Sequence, residues 1–135
     1  MNARRRTRFD VTALSIALVT IAAILVSLTQ VFADEADVVG VKAQPVAGGA
    51  WRFDVTVHHA DEGWDHYADK WVVGGPGGIV YGERVLLHPH ETEQPFTRSQ
   101  TGIEVPADIS IVTIRARDSV HGFGVGMDVD LDALR

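Results

Sequence analysis

His58, His59, His66, His88, His90 and His121 are the side chains of this sequence with the clearest capacity for chemistry. There is no cysteine among the 135 residues, so a metal held here would meet imidazole and carboxylate rather than thiolate. Such a donor set suits Zn²⁺ or Cu²⁺, and Ni²⁺ where carboxylates stand nearby. Cu⁺ fits poorly, because Met127 is the single methionine beyond the first residue. His88-Pro89-His90 is an i, i+2 pair, and Pro89 disfavours helix for His88. Both rings then project from one side of an extended segment, with Cα atoms about 6.5–7 Å apart. Asp61, Glu62, Asp65, Glu91, Glu93 and Asp118 border the same segments, either as ligands or as acceptors that orient the rings.

What would bring these residues together is the order of the strands. Past Asp37 the pattern has period two and frequent turn signals, with no helical stripe. Residues 39–44 read as a first strand ended by Pro45, with Gly48-Gly49 as a turn. Trp51, Phe53, Val55 and Val57 alternate with polar residues in a second, half-buried strand. A third strand runs around residues 66–73 with Trp71 as its apolar anchor, and Gly74 to Gly78 forms a connection. It leads into residues 79–88, where Ile79, Tyr81, Val85 and Leu87 would share one face. Residues 96–105, 109–117 and 125–131 complete seven strands. Seven short strands with turns every eight to twelve residues predict an immunoglobulin/fibronectin-III-like antiparallel β-sandwich.

That topology sends all six histidines to one pole. His58 and His59 end the second strand, His66 opens the third, His88 and His90 end the fourth, and His121 lies between the last two. His59 continues the inward parity of Phe53, Val55 and Val57, whereas His58 faces the wet side. The expected metal ligands are His66, His88, His90 and His121, with His59 as substitute. Asp65, Glu93, Asp118 and Arg98 are expected around them, Arg98 pairing with Glu93 or Asp118. The plainer alternative has His66 and His121 bonded to loop carbonyls.

Other motifs are weaker. Asp118-Ser119-Val120-His121 packs a Ser/His/Asp set into four positions, where triad geometry seldom forms. No Gly-x-Ser-x-Gly elbow occurs. Gly74–Gly78 lacks the ending of a phosphate loop. Gly122-Phe123-Gly124-Val125-Gly126 precedes a strand rather than a helix, which removes a dinucleotide reading. No catalytic residue is assigned. Trp64, between Gly63 and Asp65, is the aromatic side chain best placed for a sugar surface.

The ends of the chain differ in character. Arg4, Arg5, Arg6 and Arg8 precede an uncharged apolar run from Val11 to Phe32, then Ala33 and the acidic Asp34-Glu35. This is the pattern of a secretory signal, although a run of that length also spans a bilayer. Residues 1–33 are therefore expected to be a signal peptide, or an uncleaved inner-membrane anchor using residues 11–32, and residues 34–135 a β-sandwich domain in the periplasm or secreted. The sequence has 12 Lys and Arg against 18 Asp and Glu; four and one of these precede residue 34, leaving 8 against 17. Such a surface repels phosphate backbones and anionic headgroups, which excludes nucleic acid as a partner and favours cations.

Three segments carry a resemblance: Gly63-Trp64-Asp65-His66-Tyr67-Ala68-Asp69; His88-Pro89-His90 running into Glu93-Gln94-Pro95-Phe96-Thr97-Arg98-Ser99; and Ala116-Arg117-Asp118-Ser119-Val120-His121-Gly122. Over residues 37–131 the chain resembles an uncharacterised group of small exported bacterial proteins. The resemblance implies an envelope setting and transfers no catalytic role. The expected function is reversible binding of a divalent metal, Zn or Cu(II), through the histidine cluster. The alternatives are a non-catalytic accessory module that binds another envelope protein, and a carbohydrate-binding module.

Overall fold

Alternating apolar residues in short runs cannot close a helical stripe, but they line one face of a pleated strand. The computed structural model describes residues 35–135, and the expected signal or anchor lies outside the described residues. Within them the strands are β1 (Asp37–Pro45), β2 (Ala50–His58), β3 (Ala68–Gly74), β4 (Val80–Val85), β5 (Phe96–Glu104), β6 (Ile111–Asp118), β7 (Gly122–Phe123) and β8 (Met127–Asp130). No helix of the described residues is long and apolar enough to cross a membrane.

Two antiparallel sheets result, ordered β1-β2-β5 and β4-β3-β6, with β7 and β8 both pairing to the far side of β6. The all-β sandwich expected from the sequence is what forms. Trp51, Phe53, Val55 and Val57 of β2 turn inward, as do Phe96 and Ile103 of β5. They meet Trp71 and Val73 of β3 and Val112, Ile114 and Ala116 of β6 in one cluster. Full burial of such aliphatic and aromatic side chains stabilises by about 1.5–3 kcal/mol each, and no disulfide is needed to supplement it.

β4 differs from expectation. Its ladder to β3 shifts register between Val73 and Gly74, and Ile79, Val85 and Leu87 are exposed. Tyr81 packs against the core as expected, but from Gly82 onward the inward positions are the even ones. Gly82 abuts Ile103 of β5, and Leu86 is buried. The inward face of this edge strand thus carries Gly82, Arg84 and Leu86, a set with no apolar alternation to read. The last expected strand, residues 125–131, is shortened to β8, and β7 forms ahead of it in the expected connection.

For the site, one consequence matters. β2, β4 and β6 end at the pole where β3 and β7 begin.

Candidate metal centre

The inward parity of β2 does not stop at the strand's end. Phe53, Val55, Val57, His59 and Asp61 are all buried, while His58 is exposed. Asp61 is the centre of this extension. Its Oδ1 accepts from the Nδ1–H of His59 at 2.6 Å and from the backbone N–H of Ala68 at 2.9 Å. Its Oδ2 accepts from the backbone N–H of His90 at 2.6 Å. One carboxylate therefore ties the end of β2 to the start of β3 and to the loop after β4. The bond at Nδ1 also fixes the tautomer of His59, so its Nε2 presents a lone pair.

That Nε2 lies 3.2 Å from the Nε2 of His66. His66 follows the single turn at Gly63–Asp65 and is half-buried. Its Nε2 is in turn 3.3 Å from Oδ1 of Asp118. Asp118 ends β6, and its Oδ1 accepts from the backbone N–H of Val120 at 2.8 Å and of His121 at 2.7 Å, an Asx-type turn. The Nδ1 of His121 is 3.1 Å from the same oxygen. Burial pushes the Asp118 carboxyl up, but the N–H groups of His121 and Val120 and the His121 ring outweigh it and hold it below the ordinary range. Asp118 stays ionised.

Two of the spacings match edges of a coordination polyhedron. His59, His66 and Asp118 each offer one ligand atom, all within 4.8 Å of one another. A tetrahedral Zn site with ligands at about 2.0–2.1 Å has ligand–ligand edges of roughly 3.3 Å. The His59–His66 and His66–Asp118 separations of 3.2 and 3.3 Å fall on that edge. The ring of His121, with centroid 5.0 Å from that of His66, stands beside these three, its Nδ1 engaged with Asp118 Oδ1.

Charge balance points the same way. The side chains of Asp61 and Asp118 are both fully buried, and buried carboxylates require compensation. The partners described above for both are backbone N–H groups and imidazoles. Asp118 Oδ2 is buried with no hydrogen-bond partner.

Five of the six histidines gather at one end, but as two groups rather than one; His58, the last residue of β2, is exposed and joins neither. His88 and His90 form the second, with ring centroids 4.5 Å apart. Instead of joining His66 and His121, the His90 ring stacks on Phe96 at 3.9 Å, and its Nε2 accepts from Arg98 Nη2 at 2.9 Å. A guanidinium is a donor only, so that lone pair is taken. Burial, then the charges of Arg98 and His88, depress the His90 pKa and keep its ring neutral. His88 is exposed, with Nδ1 3.0 Å from the carbonyl of Pro89.

Among the residues expected around the ligands, Arg98 pairs with Glu93 at 3.2 Å and not with Asp118. Asp65 is exposed. Asp118 is itself within coordinating distance rather than outside it. Asp61, one of six carboxylates expected as ligands or as acceptors orienting a ring, takes the second role toward His59; its i, i+2 relation to His59 continues the alternation of β2 and singles it out.

No family model and no solved structure match the sequence. A protein of Halomicrobium mukohataei named "Putative lipoprotein" is 49% identical over 90 residues, or 67% of this chain. The matched part is 44% of that protein, so the chain spans less than half the length of the relative it matches.

Proposed function

We propose that this domain is an exported metal-binding module, holding one divalent transition ion through His59 Nε2, His66 Nε2 and an Asp118 carboxylate oxygen, with His121 closing the site. The observation that carries the reading is the pair of edges at 3.2 and 3.3 Å among these donors, the spacing of a tetrahedral Zn site. Support comes from Asp61, which orients His59 as carboxylates orient metal-bound histidines. The two buried carboxylates favour a cation of charge two. The exported setting rests on the basic and apolar start of the sequence and on the name of the relative. The sequence has no cysteine, so the name bears on setting rather than on a lipid carried by these residues.

Mixed imidazole and carboxylate donors hold Zn²⁺ well and accept Cu²⁺. Three donors lie on or beneath the surface, and His121 is exposed enough to swing away. Reversible loading and release is the chemistry that arrangement serves. Binding requires neutral imidazoles and so weakens in acid.

The test is calorimetric titration of the untagged, metal-free protein with Zn²⁺ and Cu²⁺. One equivalent should bind, and melting should move upward with metal concentration. At a hundredfold excess over the dissociation constant, stabilisation reaches about 2.7 kcal/mol, on the order of 10 °C for a domain of this size. Absence of saturable heat together with an unmoved melting curve would overturn the reading. It would return the domain to a protein-binding role insensitive to chelation.

A further inference from the structure

A second site lies beside the first and has the opposite electrostatic character. β4 and β5 are the facing edges of the two sheets, and a pocket of about 80 Å³ opens there, lined by Arg84, Leu86, Leu87, His88, His90 and Arg98 among others. The lining contains no carboxylate, in a chain of net charge −6. Its polar groups are two guanidiniums and two imidazoles.

Arg84 is the unusual member. Its neighbour Glu83 points outward and pairs with Lys70 at 3.1 Å. Arg84 therefore shares the inward parity of Gly82, which abuts Ile103, and of the buried Leu86. Its Nε is sealed from solvent and has no hydrogen-bond partner. A buried N–H without an acceptor is costly. Across the cleft, Arg98 bonds His90 Nε2 and Glu93 through Nη2 and the Thr97 carbonyl through Nη1, leaving one Nη1–H and its Nε–H for a further acceptor. Arg98 is braced by the Phe96 ring, 5.5 Å below its guanidinium.

We propose that this edge pocket binds a small oxyanion, the shared chemistry of a phosphate and a carboxylate, gripped between Arg84 and Arg98. The Arg84 fork matches such groups bidentately, and Arg98 adds a charge-assisted contact. The volume limits the bound group, since water occupies about 30 Å³ in the liquid. A single phosphate or carboxylate group is on the scale of this pocket, and a sugar ring is not. An anion here would bridge the two sheets at their open edge, so binding should stabilise the fold. The proposal does not depend on metal binding, because Arg98 rather than an ion occupies His90 Nε2.

The test uses the full chain, metal-free and dialysed clear of chelator, at constant ionic strength set with chloride. Inorganic phosphate and acetate are titrated in parallel arms while the Arg84 Nε–H resonance and the melting temperature are followed. A saturable shift of that resonance with a rise in melting temperature is expected. Saturation by phosphate alone names phosphate as the source, by acetate alone a carboxylate, and by both the shared chemistry; each supports the site. Arg84→Gln should weaken binding at least about tenfold, as loss of a charge-assisted contact does. Arg84→Lys keeps the charge without the fork and should also weaken it, which covers failure of the glutamine variant to fold. Response to neither anion, or an unaltered response in Arg84→Lys, overturns the proposal.

Discussion

His59 and Asp61 meet through a 2.6 Å hydrogen bond with both side chains closed to solvent, 1% and 0% exposed. Two residues apart on an extended backbone, they face the same way because the period of a strand is two. The same carboxylate holds the backbone of Ala68 and of His90. Structure and site therefore share one anchor. Asp61→Asn keeps one acceptor oxygen but turns an N–H₂ donor toward a backbone N–H. We expect a loss of about 2–4 kcal/mol, the cost of breaking a buried charged network. Zn²⁺ affinity should fall about 10–100-fold, as when a carboxylate behind a metal-bound histidine is lost. Urea denaturation without metal and Zn²⁺ titration separate the two effects, and an unchanged affinity would show that Asp61 serves the fold alone.

His66 and His121 should differ in degree. His66 is the shared vertex of the two short edges and only half-buried, so His66→Ala should abolish saturable Zn²⁺ binding while the domain still melts cooperatively. His121 has a more open side chain, 37% exposed, and stands at the rim. His121→Ala should leave one equivalent bound with affinity lower by roughly tenfold, the scale of one lost contact to a charged group. Equal effects of the two would place His121 among the primary ligands.

Period two made much of this arrangement readable. It gave β2 its inward residues, put Trp71 in the core and sent the ends of β2, β4 and β6 to one pole. What it could not give was the division of the histidines. The contact between Arg98 and His90 joins a loop to β5, and no periodicity encodes which of two neighbouring side chains reaches an imidazole first. The face of β4 was misread for a related reason. At the margin of a sheet the inward position can be closed by Arg84, whose aliphatic stem covers apolar surface while its head remains polar, and such a face shows no hydrophobic alternation. Asp61 could be read only as one of six carboxylates bordering the histidines, any of them a ligand or an acceptor that orients a ring; its burial follows from three donors converging on it.

His90 makes a prediction about acid. Burial, then Arg98 and His88, hold its pKa below the ordinary 6.5. The folded chain therefore favours the neutral ring, whereas the unfolded chain takes up a proton once pH falls through about 6.5. Stability rises with pH wherever the unfolded state holds more protons. It should decline from pH 6.5 downward and level off below the depressed folded value. In metal-free urea denaturation at pH 7.5, 6.5 and 5.5, His90→Gln should show a flatter profile than the natural chain over this window. A parallel decline in both proteins would assign the acid sensitivity to other groups.

Trp71 and Phe53 are both 0% exposed and belong to one core, yet they should not be equally costly to alter. Phe53 is wholly apolar, and Phe53→Ala removes a ring from a close-packed cluster at about 3–5 kcal/mol. Trp71 carries a buried Nε1–H with no hydrogen-bond partner, and such a donor costs about 1–3 kcal/mol where it stands. Trp71→Phe deletes that donor while keeping most of the aromatic volume. The cavity it opens and the penalty it relieves oppose each other, so the net loss should stay under about 1.5 kcal/mol, near that of a volume-conserving swap. Chemical denaturation of the two variants under identical conditions decides the matter. A Trp71→Phe loss as large as that of Phe53→Ala would mean that the indole N–H is satisfied in solution, by a water reaching it through the edge of β3 and β4.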